Sequence, residues 1–171
     1  MNESRLSRDA VAGAKSDSDR SPTHASLRIA AMNLLARREH SRAELAEKLG
    51  RKLSGQGDYA ELLNEVLDRL SEDGLQCDRR FTEAFLRSRC NKGQGPRRII
   101  QELGRCGVES ALVSEVLSNS EIDWYEQARL VAIKKYGEEP PKDMRDRARR
   151  MRFLQYRGFQ ADQIGQAIES A

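Results

Sequence analysis

The side chains best able to bind a charged partner are arginines, concentrated in two stretches of the sequence. Residues 79–105 contain eight basic and two acidic side chains, a balance of +6, and residues 142–157 contain seven basic and two acidic ones, a balance of +5. The flanking segments are acidic or neutral, and the whole chain carries only +3. The planar guanidinium group suits phosphates and carboxylates alike. The stretches therefore favour a nucleic-acid backbone or an acidic protein groove as the partner.

Nine arginines of these stretches are the candidate contact residues for that partner. The alternative for any single one is a solvated helix face, which is the usual role of a run of charge. The candidates are Arg79, Arg80, Arg87, Arg89, Arg97, Arg98, Arg145, Arg149 and Arg152.

Residues for catalysis or metal binding are scarce. The two histidines, His24 and His40, are too few for a histidine-rich metal site or a histidine-based triad. The Gly93–Pro96 segment lacks the pattern of a phosphate-binding loop and is interpreted as a helix break. Three cysteines without C-x-x-C spacing predict reduced thiols, mostly structural. We therefore expect no enzymatic activity, cofactor, metal ion or small-molecule substrate.

The elements that position the arginines are predicted to be helices. From Ser26 onward apolar residues recur at helical spacing, and no stretch alternates apolar and polar residues as a half-buried strand does. In the fifth of nine expected helices, Ile99, Ile100 and Leu103 form the predicted buried stripe. The fold class is therefore all-α.

Side chains at helix starts give the expected helix boundaries. Ser41 followed by Glu44 has the spacing of a capping box, in which each side chain accepts a hydrogen bond from the other residue's backbone N–H. Asp58 with Glu61 repeats this spacing before the third helix, and Asp78 is the expected cap of the fourth.

Composition limits the class of protein. With 38% hydrophobic and 33% charged residues the chain has a soluble, globular balance, and it contains no long apolar run or secretory signal. Residues 1–25 show no apolar periodicity and are predicted to be a disordered tail. We expect a cytoplasmic protein without membrane contact.

An internal repeat organises the rest of the chain. Residues 51 positions apart in the predicted helices are similar in type. When the sequence is compared with itself at a shift of 54 residues, Leu49–Arg51 aligns with Leu103–Arg105. Units of about 50 residues with thin cores gain stability by packing on their neighbours. We predict an elongated, curved array of three tandem three-helix repeats, at 26–76, 77–119 and 120–171; the alternative is a compact helical bundle. The positions matched by the shift of 51 are Ile100 with Met151, Leu103 with Leu154, Gly107 with Gly158, Val108 with Phe159, Val113 with Ile164, and Leu117 with Ile168.

The residues from Gly74 to Val108 resemble the central segment of the RecX family, regulators of the RecA recombinase. The resemblance lies in the Asp78–Phe81 step, the Phe85–Arg87 run and the Gly95–Leu103 segment, and residues 37–50 are similar to the family's first unit. It covers about residues 26–170. The sequence departs from the family pattern at Leu53, which replaces a glycine, at Gln76–Cys77, and in its long N-terminal tail.

The resemblance implies a negative regulator of RecA. Such a protein lies in the groove of the RecA filament on single-stranded DNA and suppresses ATP hydrolysis, strand exchange and coprotease activity, and so modulates recombinational repair and the SOS response. The nine candidate arginines would then meet acidic groove walls or phosphates, with direct weak DNA binding as a further possibility. A general nucleic-acid-binding helical module acting without recombinase is the alternative, and an adaptor for an unrelated protein ranks last.

Overall fold

The computed structural model describes residues 22–53 and 59–169, which form nine α-helices joined by loops. No β-strand occurs in those two ranges, and the all-α prediction is confirmed. The predicted disordered tail lies largely outside them, but α1 already begins at His24, two residues before the expected start of order at Ser26. The helices are α1 (His24–Leu35), α2 (Arg42–Leu53), α3 (Ala60–Glu72), α4 (Asp78–Asn91), α5 (Pro96–Arg105), α6 (Ser110–Ser118), α7 (Trp124–Tyr136), α8 (Met144–Arg157) and α9 (Ala161–Glu169).

The helices pack in three consecutive triplets, α1–α3, α4–α6 and α7–α9, which we call units 1, 2 and 3. Each unit has a separate buried cluster, centred for example on Leu45 and Leu67 in unit 1 and on Ile99 and Leu103 in unit 2. This is the predicted elongated, curved array of tandem three-helix units. The unit boundaries predicted at residues 76 and 119 fall in the loops between triplets.

Residues matched by the repeat occupy matched environments. Leu103 and Leu154 are both fully buried, whereas Ile100 and Met151 are 46% and 43% exposed. The predicted place of Ile100 in the buried stripe is therefore wrong. Ile99 and Leu103, four residues apart, fill the core side of α5, and Ile100 projects about 100° away from Ile99 around the helix axis.

Unit 1 is joined to unit 2 through the N-terminal end of α2. The Ser41 hydroxyl donates a hydrogen bond to the Cys106 carbonyl at the end of α5 (2.6 Å), and the Arg42 backbone N–H donates to the Asp78 carboxylate (2.8 Å). Asp78 therefore caps α2 across the junction, and its predicted role as the cap of α4 is wrong. Cys77 holds the N-cap position of α4 and provides no side-chain cap.

The predicted capping box at α2 forms only in part. The Ser41 hydroxyl accepts the Glu44 backbone N–H (3.0 Å), but the Glu44 carboxylate is bound by Arg38 and by His40 Nδ1, both at 2.9 Å. Burial alone would raise the pKa of Glu44, but the hydrogen bonds from Arg38 and His40 outweigh it, and the pKa lies below its ordinary value. At the other predicted box, Asp58 lies outside the described residues, and α3 begins after Tyr59 without a side-chain cap.

Unit 2 is joined to unit 3 by the same kind of contact. The backbone N–H groups of Gly95 and Arg97, at the start of α5, donate to the carbonyls of Arg157 and Gly158 at the end of α8 (2.8 and 3.1 Å). A side chain at Gly95 would collide with the backbone of Gly158 and Phe159. Trp124 adds an apolar contact, since it packs against the clusters of both units. Gly95 therefore sits in the docking contact itself.

Alanine substitutions at two glycines test whether the junction of units 2 and 3 requires a glycine at Gly95, apart from the general effect of alanine on helix stability. We expect Gly95→Ala to lower the free energy of unfolding by about 2 kcal/mol or more, because the new methyl group overlaps backbone atoms that cannot rotate away. The control is Gly104→Ala in the same helix, where a methyl group meets open space and should raise stability by up to about 1 kcal/mol. Urea unfolding followed by circular dichroism measures both. Equal effects of the two substitutions would contradict the close approach at Gly95.

The His40 imidazole should make stability depend on pH. Its side chain is 4% exposed, and burial holds the pKa of His40 below the ordinary 6.5. Below about pH 6.5 the unfolded chain takes up a proton that the folded chain resists, so stability is lost as the pH falls through this window. We expect the free energy of unfolding to be lower at pH 5.5 than at pH 7.5, and His40→Gln to reduce that difference. A wild-type slope in His40→Gln would rule out this assignment.

Candidate binding grooves around helix α5

Helix α5 lies between two surface grooves. The α4–α5 groove, about 720 Å³, is lined mainly by residues of α4 and α5, with Arg38 and Glu44 of unit 1 at one side. The α5–α8 groove, about 590 Å³, runs between α5 and the C-terminal end of α8 and includes Tyr156 and Phe159. Arg98, Glu102 and Arg105 line both grooves. Helix α5 is therefore a shared ridge, fixed at its start by unit 3 and at its end by unit 1.

The two grooves carry more positive than negative charge. Their lining includes six cationic side chains and two carboxylates, Glu44 and Glu102, and both carboxylates are already bound by cations from the chain. Glu102 pairs with Arg89 of α4 and Arg98 of α5, each at 2.9 Å, although the Arg89 N–H is poorly aligned for a hydrogen bond. The cationic residues are Arg38, Arg89, Lys92, Arg97, Arg98 and Arg105.

Three of these cations are available to a ligand. The side chains of Lys92, Arg97 and Arg105 are exposed and form no ion pair with the residues that the structure describes. Unpaired guanidinium and ammonium groups beside an open groove attract phosphate or carboxylate groups.

Aromatic side chains give the α4–α5 groove an apolar wall. Phe81 and Phe85 lie 5.6 Å apart in a tilted arrangement, and the Arg89 guanidinium lies over the Phe85 ring at 4.5 Å. In the α5–α8 groove Arg98 lies 5.6 Å from the ring of Tyr156, which is 77% exposed. A partner in these grooves would therefore meet apolar rings as well as positive charge.

The nine candidate arginines are divided between the grooves and other surfaces. Arg89, Arg97 and Arg98 line the grooves. Arg79 instead pairs with Glu115 (2.7 Å), and Arg80 pairs with Glu39 of unit 1 (3.0 Å). The remaining candidates on α4 and α8 are exposed and do not line either groove: Arg87, Arg145, Arg149 and Arg152.

The α8 candidates form a stripe that leads toward the α5–α8 groove. Arg145, Arg149, Arg152 and Tyr156 follow one another at spacings of four, three and four residues, which places them on one helix face. Arg149 is paired with Asp146 and lies over the Tyr136 ring, whereas Arg145 and Arg152 have no ion-pair partner in the described ranges.

Sequence reasoning missed several groove residues and one structural arginine. Arg105 lies on the same face of α5 as Arg97 and Gln101, at four-residue spacing, so the helical periodicity of α5 could have predicted it as a groove residue. Arg38 gave no signal, because it reaches the groove only through the junction between units 1 and 2. Arg150, which is 4% exposed, binds Asp146 and the Glu139 carbonyl and so fixes the loop before α8.

The described part of the chain contains three free thiols and no cluster of side chains that could hold a metal ion. Cys77, Cys90 and Cys106 are free thiols, and burial raises the pKa of Cys90 to about 11, which keeps it protonated. No three His, Cys, Asp or Glu side chains come together as a metal site in residues 22–53 and 59–169. None of the nine helices combines the length and the apolar character needed to cross a membrane.

Each of the three units matches a known domain of one family. The matches are to the first, second and third three-helix domains of RecX, over residues 28–55, 78–117 and 121–168. The chain belongs to the RecX family of regulatory proteins. RecX of Halorhodospira halophila is 47% identical over 145 residues, which cover 85% of this chain and 88% of that protein. RecX of Pseudomonas putida strain GB-1 is 44% identical over 146 residues, covering 85% and 91%.

The RecX fold is also found among solved structures. The crystal structure of RecX from Lactobacillus salivarius superposes with a TM-score of 0.70 at 21% identity, covering 85% of this chain and 94% of that one. A second crystal structure, of a regulatory protein RecX, gives a TM-score of 0.69 at 19% identity, covering 86% and 73%. The domain matches and the 44–47% identical relatives confirm the family resemblance inferred from residues 74–108, and the solved structures show the same fold.

Two neighbouring arginines of α4 in this RecX-family chain should respond differently to truncation. Arg89→Ala should lower the free energy of unfolding by about 1 to 2 kcal/mol, because Glu102 loses a partner and Phe85 loses its cation–π contact. Arg87→Ala, on the exposed face, should change it by no more than about 0.5 kcal/mol. Chemical denaturation distinguishes them, and a neutral Arg89→Ala would show that the ion pair contributes nothing.

Proposed function

We propose that this protein binds the RecA filament on single-stranded DNA through the grooves around α5 and so restrains ATP hydrolysis, strand exchange and coprotease activity. The observation that carries the proposal is the pair of grooves that meet at α5, where unpaired cations lie beside apolar rings. Membership of a family of regulatory proteins supports a regulatory role. The action is binding, without a catalytic step, in the cytoplasm.

The arrangement of the two grooves suits a repeating partner. Each groove lies where two units meet, and helix α5 between them is fixed by backbone hydrogen bonds at its start and by the Ser41 hydroxyl at its end. A filament presents the same surface at regular intervals, so neighbouring grooves on a rigid array can engage adjacent subunits at once. Simultaneous engagement raises affinity without stronger individual contacts.

The division of labour among the arginines follows from their partners. Arg89 and Arg98 are oriented by Glu102, and their contribution is to hold the groove in shape. Arg97, Arg105 and Lys92 supply charge to the partner. The candidates outside the grooves contribute through the α8 stripe, with Arg145 and Arg152 reaching the partner beyond Tyr156, and through Arg87 on α4. Arg79 and Arg80 act mainly within the chain, since both are paired with glutamates.

Direct nucleic-acid binding is the second candidate function. The favouring observation is Tyr156, whose ring is 77% exposed beside Arg98 and Arg97, an arrangement that suits a base stacked over a phosphate contact. In that case binding to single-stranded DNA would fall steeply with salt and would need no recombinase.

The first test is RecA ATPase on single-stranded DNA with substoichiometric amounts of this protein. We expect inhibition at protein concentrations too low to cover the DNA, and we expect it to persist when excess single-stranded DNA is supplied. Arg97→Glu with Arg105→Glu should raise the concentration for half-inhibition about tenfold or more, equivalent to about 1.4 kcal/mol.

The matched control is Arg37→Glu with Lys52→Glu, two exposed cations of unit 1 that lie outside both grooves. It makes the same change in net charge and should inhibit like the wild type. Inhibition that disappears with excess DNA would favour the nucleic-acid module, and equal weakening by the two double variants would remove the grooves from the mechanism.

A further inference from the structure

A third concave surface lies beside the junction of units 2 and 3, and neither Arg97 nor Arg105 lines it. It is about 390 Å³ and is formed by the end of α4, the second half of α7 and the C-terminal part of α8. We call it the lysine cleft, after Lys92, Lys134 and Lys135, which line it together with Arg157 and an apolar floor.

The cleft has a fixed shape. The Arg157 guanidinium donates a hydrogen bond to the Lys92 carbonyl (2.9 Å), which ties the end of α8 to the end of α4. Gly93 lies so close to α7 that an added Cβ would be 2.9 Å from a Val131 methyl group. The walls are therefore held by contacts between two units and do not depend on a ligand.

The charge in the cleft is unusual for this chain. All four charged side chains that line it are cationic, and no carboxylate is among them. The three lysines form no ion pair with any described residue, whereas many arginines of the chain are paired with carboxylates. Lys134 and Lys135 also complement the C-terminal end of α7. Lys92 comes from another unit and faces the same space, and it also lines the α4–α5 groove.

The floor of the cleft indicates which class of anion fits. Leu130 is 45% exposed, and Val131 and Phe153 are partly buried beside it. The Phe153 ring is already engaged by the Arg157 guanidinium at 5.2 Å and by Tyr136 in a T-shaped contact at 5.5 Å. Because Leu130 and Val131 are aliphatic and the one ring is already in contact with Arg157 and Tyr136, the floor suits an apolar side chain better than a stacked nucleobase.

We propose that the lysine cleft binds an acidic peptide segment of a partner protein. One large apolar side chain of the segment packs on Leu130 and Val131, and carboxylates on either side of it pair with Lys92, Lys134 and Lys135. A volume of about 390 Å³ holds such a side chain together with part of its backbone. This site goes beyond the proposed action of the α5 grooves and does not require it.

The test uses the full chain and a defined probe. The probe is a fluorescently labelled nine-residue peptide of aspartate and glutamate with one central phenylalanine, and its binding is followed by fluorescence anisotropy. We expect saturable binding, weakened about tenfold or more when the central residue is alanine, because the apolar contact is then lost.

Protein variants assign the binding to the cleft. Lys134→Glu with Lys135→Glu should weaken binding about tenfold or more. Leu130→Asp, which leaves all three lysines in place, should weaken binding to a similar degree. The control Lys52→Glu with Lys142→Glu makes the same change in net charge at exposed sites outside the cleft and should bind within about twofold of the wild type. Circular dichroism confirms that each variant is folded.

Several outcomes would overturn the proposal. They are absence of binding by the wild type, equal weakening by the two lysine double variants, and equal affinity for the phenylalanine and alanine peptides. A 12-nucleotide oligothymidylate that binds with the same dependence on Lys134 and Lys135 would assign the cleft to nucleic acid instead. Because no recombinase is present in these assays, their result is independent of the ATPase test of the grooves.

Discussion

The architecture depends on one recurring contact between the middle helices of the units, which are α2, α5 and α8. The first turn of one middle helix docks on the last turn of the middle helix of the next unit. The start of α2 meets the end of α5 through Ser41 and Cys106, and the start of α5 meets the end of α8 through Gly95, Arg97, Arg157 and Gly158. A helix leaves N–H groups open at its start and carbonyls open at its end. At the start of α5 the N–H groups bind the open carbonyls of α8 directly, whereas at the start of α2 the Ser41 hydroxyl binds the Cys106 carbonyl and Asp78 accepts the Arg42 N–H. The contact also places the positive N-terminal end of one helix dipole beside the negative C-terminal end of another, which is favourable.

This contact explains why the grooves lie where they do. Helix ends that dock on each other leave space beside the helices, and that space forms the α4–α5 and α5–α8 grooves. The glycines that follow α5 and α8, Gly107 and Gly158, have positive φ angles of 73° and 94°, and a side chain at either would collide with the neighbouring unit. The matched pair of glycines found in the sequence repeat is therefore a signature of the junction.

The sequence predicted features that depend on residues close together along the chain. The predictions failed where a residue distant in the sequence provides the hydrogen bond or ion pair. Helical spacing revealed the helices, and the shift of 51 found pairs such as Leu103 and Leu154 that are buried alike. Asp78 was assigned to the helix that it begins, because no local rule could show that Arg42 would reach it. Likewise the charge count treated Arg79, Arg80 and Arg89 as free, while their partners come from other helices or another unit. Arg38 belongs to the groove only because unit 1 docks on unit 2.

The middle helix of unit 3, α8, is capped by residues at its own start. The Asp143 carboxylate accepts the Asp146 backbone N–H (2.7 Å), and Asp146 in turn accepts the Lys142 backbone N–H (3.3 Å). The first turn of α8 is therefore capped by its own side chains, whereas the first turns of α2 and α5 also form hydrogen bonds to a neighbouring unit. An aspartate near a helix start therefore has two uses in this fold: Asp143 caps its own helix, whereas Asp78 caps the helix of the neighbouring unit.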